Sequence, residues 1–169
     1  ITVTGPGAAL LAISGANLIR VMTVQVGATV AVSGLTLRNG EAKSSADKDG
    51  GCLKVLGEAT FTASRFENCQ AWNGSILVSV AGGDGGGVFV AASGVFTGSF
   101  LDFTGDVAGM GGGSDGFSIF DGGRGGALAN AGTATLTQST VSQCTGGAGG
   151  GPTGRGGEGM DLVSGVSLH

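Results

Sequence analysis

The chain repeats itself, and that constrains its fold more than any other property. Gly-Gly pairs leading into a short apolar strand recur as Gly50-Gly51-Cys52-Leu53-Lys54-Val55, Gly86-Gly87-Val88-Phe89-Val90 and Gly125-Gly126-Ala127-Leu128. Each is followed by a second, similar segment: residues 60–69, 95–104 and 135–144 superpose, and residues 29–35 fit the same frame. The copies start at Thr29, Thr60, Val95 and Thr135, steps of 31, 35 and 40 residues. Self-similarity at such a period is the signature of a stacked repeat architecture, in which no unit buries its own apolar face and each covers its neighbour.

The columns of this alignment predict the inside of the stack. Val30, Phe61, Phe96 and Leu136 form one apolar column and Leu35, Phe66, Leu101 and Val141 another, with Ser33, Ser64, Ser99 and Ser139 between them. A small hydroxyl there suits a corner, where it bonds local backbone. Strands stacked copy upon copy run parallel at about 4.8 Å. The prediction is an all-β chain: a right-handed parallel β-helix, or solenoid, of about four to five coils. Gly-rich loops should leave it at residues 41–49, 72–85, 105–123 and 146–158.

Composition agrees. With 38 Gly and 2 Pro among 169 residues a helical bundle is excluded, while 41% hydrophobic residues and a net charge of only −4 exceed what a disordered chain carries. The acidic balance, 8 basic against 12 acidic side chains, leaves no basic stripe for nucleic acid. Residues 1–19 and 21–37 are uncharged around Arg20, but Val24-Gln25-Val26 and Val30-Ala31-Val32-Ser33 alternate with period two, so strands explain them better than a membrane span. Residues 1–169 read as a single solenoid segment. Ile1-Thr2-Val3-Thr4 begins as if mid-strand and residues 156–168 open another coil, so a longer polypeptide is expected.

The Gly-Gly-x-Leu/Phe anchor followed by Phe66-Glu67-Asn68 resembles the paired GGAI and FxxN repeats of the polymorphic outer membrane protein family. Residues 27–40 look like the opening coils of large surface β-helix proteins of bacteria and algae. Phe103 and Gln143 stand where the motif has Asn68, so an Asn ladder would be interrupted. The resemblance implies a secreted or cell-surface solenoid, and the repeats make of it a rigid structural or adhesive rod whose Gly-rich loops present contacts to carbohydrate, cell wall or neighbouring subunits. Its partners would be carbohydrate, other surface proteins or further copies of itself in fibres, and it implies no particular ligand.

Candidate sites are few. The sole His is His169, which leaves a Ser-His or Cys-His catalytic arrangement without its base. Pectate-lyase-like and polygalacturonase-like β-helices gather carboxylates on an outward strand face, and Glu67 with Asp102 in neighbouring copies is the one pair here suited to acid/base work. The reading is therefore non-enzymatic, with a polysaccharide lyase or hydrolase as an alternative. Residues 111–117, Gly-Gly-Gly-Ser-Asp-Gly-Phe, approach a calcium-binding nonapeptide, and Asp84, Asp115 and Asp121 would be its calcium ligands if their loops meet; no other cofactor is expected. Asn73-Gly74-Ser75 is an N-glycosylation sequon.

Of three cysteines, Cys69 and Cys144 share a column two copies apart, too far for a bond. Either Cys52 pairs with Cys69, leaving Cys144 odd, or all three are buried thiols. Finally, Thr29, Thr60 and Thr135 share one column with Val95, and Thr62, Thr97 and Thr137 share another with Ala31. Flanking inward residues, they should face outward, which makes rows of the kind ice-binding solenoids use; Thr is also simply a favoured exposed strand residue.

Overall fold

The structure is a computed structural model that describes residues 1–75, 80–112, 120–150, 155–157 and 166–168. Its regular elements are all strands, and the chain visits three parallel sheets in rotation. The first round is β1 (Thr2–Thr4), β2 (Ala12–Ser14) and β3 (Met22–Val24), the second β4 (Thr29–Ser33), β5 (Thr36–Arg38) and β6 (Leu53–Val55). Then come β7 (Glu58–Thr62), β8 (Arg65–Glu67) and β9 (Val88–Val90), followed by β10 (Val95–Ser99), β11 (Asp102–Thr104) and β12 (Leu128–Asn130). β13 (Thr133–Thr137), β14 (Thr140–Ser142) and β15 (Val166–Leu168) close the series. Sheet 1 has the order β1-β4-β7-β10-β13-β15, sheet 2 β2-β5-β8-β11-β14 and sheet 3 β3-β6-β9-β12. Such stacked strands are consistent with a parallel β-solenoid.

The expected steps of 31, 35 and 40 residues hold in sheet 3, where Met22, Leu53, Val88 and Leu128 are register partners. Sheets 1 and 2 differ. There Val32, Phe61, Gly98 and Leu136 are partners, steps of 29, 37 and 38. The cause lies in the turns from sheet 3 to sheet 1: residues 25–28 and 91–94 make turns of four, residues 56–57 and 131–132 turns of two. A slip of two leaves every side chain on its own face. Val30, Phe61, Phe96 and Leu136 are therefore all buried as expected, yet they belong to two columns, Val30/Ala59/Phe96/Ala134 and Val32/Phe61/Gly98/Leu136.

The two columns compensate in volume. Ala59 sits in the rung of Phe61, Gly98 in that of Phe96 and Ala134 in that of Leu136, so these three rungs each hold one large and one small residue, while β4 holds two of middle size, Val30 and Val32. A Cβ at Gly98 would press on Leu101 and Leu136. Sheet 2 adds Leu37, Phe66, Phe103 and Val141 in one column, with the Phe66 and Phe103 rings stacked at 5.0 Å. Phe61 bridges the sheets, 5.4 Å from Phe66 and 5.9 Å from Phe96.

The corners on either side of sheet 2 are left-handed. One row is Gly34, Ala63, Phe100 and Gln138, with φ of 64°, 46°, 53° and 48°; the other is Asn39, Asn68, Gly105 and Gln143, with φ of 50°, 52°, 67° and 56°. The motif's Asn68 is thus aligned with Gly105, correcting the expected Phe103, and the row is one of backbone conformation rather than of Asn side chains. Asn and Gly tolerate this conformation, whereas a bulky residue there is strained. Ser64 and Ser139 do turn the corner, each Oγ donating to the carbonyl two residues back at 2.9 Å. Ser33 and Ser99 instead end strands of sheet 1.

The Gly-rich insertions leave the strands where expected, but they form an ordered lattice of their own. Backbone N–H groups donate in series from Gly157 to Gly147, Gly147 to Gly123, Gly123 to Gly109, Gly109 to Gly83, Gly83 to Trp72 and Trp72 to Lys48, at 2.6–2.9 Å. Outgoing and returning legs of successive insertions interleave. A Cβ on Gly109 would overlap the Trp72 carbonyl oxygen and one on Gly123 that of Gly83, so only glycine permits this approach.

Candidate functional site

Sheet 1 presents outward rows of hydroxyls. The register gathers Thr2, Ala31, Thr60, Thr97 and Thr135 into one row and Thr4, Ser33, Thr62, Ser99 and Thr137 into the next, beside Thr29, Glu58, Val95 and Thr133. Two-residue slips had mixed these rows: Thr60, Thr97 and Thr135 belong together, Thr62 and Thr137 with Ser33 and Ser99, and Thr29 with Thr133. Thr60 and Thr97 are exposed. Ser99 Oγ donates to Thr62 Oγ1 at 3.3 Å and Thr137 Oγ1 to the Gly98 carbonyl at 3.4 Å, so the half-buried row is fixed by its own hydrogen bonds.

Sheet 2 presents charge. Its outward rows are Ala12, Thr36, Arg65, Asp102 and Thr140, and Ser14, Arg38, Glu67, Thr104 and Ser142. Residues 8–11 fold over Thr36, whose Oγ1 donates to the Ala8 carbonyl at 2.7 Å. Between that wall and the strands lie two adjoining depressions of about 360 and 460 Å³, with Ala8 and Arg65 lining both.

Glu67 and Asp102 are not register neighbours, and Arg65 serves both. Its Nη1 is 3.7 Å from Glu67 Oε1 and its Nε 3.4 Å from Asp102 Oδ2. Asp102 Oδ1 further accepts from Thr140 Oγ1 at 2.9 Å and Thr104 Oγ1 at 3.4 Å. Chemically this is a fixed lattice of donors and acceptors facing an open groove. Phe100 stands at its rim, 56% exposed, in the left-handed corner row. The sequence frame set Phe100 beside Arg65 and missed it; the signal was the small or polar character of its true neighbours Gly34, Ala63 and Gln138.

The carboxylates considered for calcium are otherwise engaged. Asp84 Oδ1 accepts the Arg124 N–H at 2.7 Å, its Oδ2 lies 3.6 Å from the Arg124 guanidinium, and Asp121 Oδ1 accepts the Arg155 N–H at 3.1 Å. Asp115 lies outside the described residues, as does His169. Among the described residues no three His, Cys, Asp or Glu side chains gather as a metal site would require. Asn73 is half-buried, its Oδ1 accepting the Met110 N–H at 2.9 Å, so the sequon packs along a neighbouring insertion.

Cys52 and Cys69 form a disulfide, and Cys144 is a buried free thiol, which settles the cysteine alternatives. Between Cys69 and Cys144 in the same row lies Asp106, which the slipped frame concealed. It is fully buried; Oδ1 accepts the Cys69 N–H at 2.9 Å and Oδ2 has no hydrogen-bond partner. Burial pushes its carboxyl well above the ordinary 3.8, and burial likewise raises the Cys144 thiol to about 11, leaving it unreactive.

Among the described residues no helix is long and apolar enough to cross a membrane. No protein-family model matches the chain, and no curated protein and no solved structure matches it either.

Proposed function

We propose that the three sheets close into a right-handed β-helix and that this rod is an extracellular or cell-surface structural or adhesive element. It would hold carbohydrate, cell wall or neighbouring subunits by many weak contacts and carry out no chemistry. The handedness rests on the near-universal right-handed crossover between parallel strands. The observation that carries the reading is the stacking of parallel strands in each of three sheets, which lays corresponding outward positions of successive copies in rows. The Cys52–Cys69 disulfide favours an oxidising compartment. Co-sedimentation of the purified protein with cellulose, chitin and isolated cell walls tests it. The protein should pellet with at least one; a protein that stays in solution with all three, and alone shows no self-association, refutes it.

A second reading has its own support. The hydroxyl rows of sheet 1 are more regular than the sequence frame suggested, and Thr60, Thr97 and Thr135 stacked one above another on an outward face suit ice. Faceted crystals in a slowly freezing droplet would favour it; smooth discs at millimolar protein would end it.

A further inference from the structure

We propose that the groove of sheet 2 is an oligosaccharide-binding site, with Phe100 as the platform on which a pyranose ring lies. The inference deepens the adhesive reading and rests on it, moving the carbohydrate contact from the insertions to a strand face. Phe100 is the starting point because nothing in the fold accounts for it. The corner demands a left-handed residue, met in the same row by Gly34, Ala63 and Gln138. A phenylalanine there strains the backbone and leaves more than half of a large ring in water. Strain held together with an exposed aromatic is the pattern of a binding position.

The surroundings fit a sugar. Asp102, Arg65, Gln138 and Thr140 line the same depression, offering donors and acceptors already oriented by the Arg65–Asp102 contact at 3.4 Å and the Thr140–Asp102 hydrogen bond at 2.9 Å. One aromatic face beside convergent polar groups matches a ligand with an apolar C–H face and a hydroxyl rim. A nucleic-acid base could also stack, but the chain carries a net charge of −4, and in the groove Arg65 is engaged by Asp102 and Glu67, so no basic stripe is left to follow a phosphate backbone. The second depression continues the groove past Arg65 to Arg38, so the ligand is an extended chain rather than a monosaccharide.

The full chain, labelled with 15N, is titrated with cellohexaose, chitohexaose and an alginate hexasaccharide. At least one should shift the amides of Ala63, Phe100, Asp102 and Gln138. Phe100→Gln, which copies the residue the next rung uses at this corner, should weaken that binding about tenfold or more while the melting temperature holds or rises. Asp102→Asn, which keeps the side-chain shape, should also weaken binding and guards against a folding defect in the first variant. Shifts confined to the insertions or to the Thr rows would overturn the groove and leave the adhesive reading standing. Silence with all three sugars, or parental affinity in both variants, would overturn the groove outright. Co-sedimentation decides the adhesive reading separately.

Discussion

The strand stack and the glycine lattice are two ordered regions built on opposite principles. In the stack, side chains do the holding: Phe61, Phe66, Phe96 and Phe103 fill the interior, and small partners such as Ala59 and Gly98 make room for them. In the lattice, from Trp72 through Gly83, Gly109, Gly123 and Gly147, the legs meet backbone to backbone, and side chains such as Asn73 and Asp84 add only scattered contacts between them. Residues 41–50 use a third device, since Arg20 and Lys54 both clasp Asp47 at 2.6 Å and Arg20 also donates to the carbonyls of Asp49 and Gly50. Glycine content therefore does not measure flexibility here. It marks where backbones must touch.

Four experiments would break or sharpen that contrast. Phe61→Ala should cost about 3–5 kcal/mol in urea unfolding, because its neighbours Ala59 and Gly98 are too small to refill the space. A loss below about 1 kcal/mol would mean that Phe61 does not hold the core. Gly109→Ala should cost less, about 1–3 kcal/mol by the overpacking of close-packed backbone. It should strip hydrogen-exchange protection from Gly83, Gly123 and Gly147 while strands β7 and β10 keep theirs. Equal loss in both regions would show one cooperative unit rather than two.

Asp106 lies at the seam of the regions, just past β11, and its carboxyl is raised by burial, with Glu67 and Asp102 pushing the same way. A carboxyl raised in the fold contributes stability that is complete below 3.8 and is lost as the pH climbs through its folded value. Asp106→Asn removes this dependence, so its stability relative to the parent should improve steadily from pH 4 upward; parallel curves would place Asp106 in contact with water or a cation. Asp47 has the reverse sign. The Arg20 hydrogen bond, followed by Lys54 against the opposing effect of burial, lowers its carboxyl to about 2. That contribution is present above 3.8 and lost as the pH falls through about 2. The carboxylate is half-exposed, so Asp47→Asn should cost under about 1 kcal/mol at pH 6, and the difference should shrink as the pH falls from 4 and vanish below pH 2.

Much of the fold was legible. The anchors Gly50-Gly51, Gly86-Gly87 and Gly125-Gly126 gave the sheet 3 register, and the inward set was read almost without error. The candidate sites were less so, because a site depends on which residue lies beside which across strands. The slipped frame set Glu67 beside Asp102 as an acid/base pair; in the structure Arg65 is register partner to Asp102 and sits between the two carboxylates' contacts. The same slip hid Phe100 in a strand and left Asp106 without its row.

What the residues dictate alone is facing: alternation with period two, Gly-Gly anchors and the repeat together require parallel stacked strands with these apolar residues inside. What waited for the tertiary structure was neighbourhood. Turns of two and four residues differ little in closure entropy and leave every side chain on its own face, so local sequence hardly distinguishes them. Only packing decides, when Phe96 must lie over Ala59 and Gly98 over Phe61, and that choice sets the hydroxyl rows, the Arg65 bridge and the Phe100 corner.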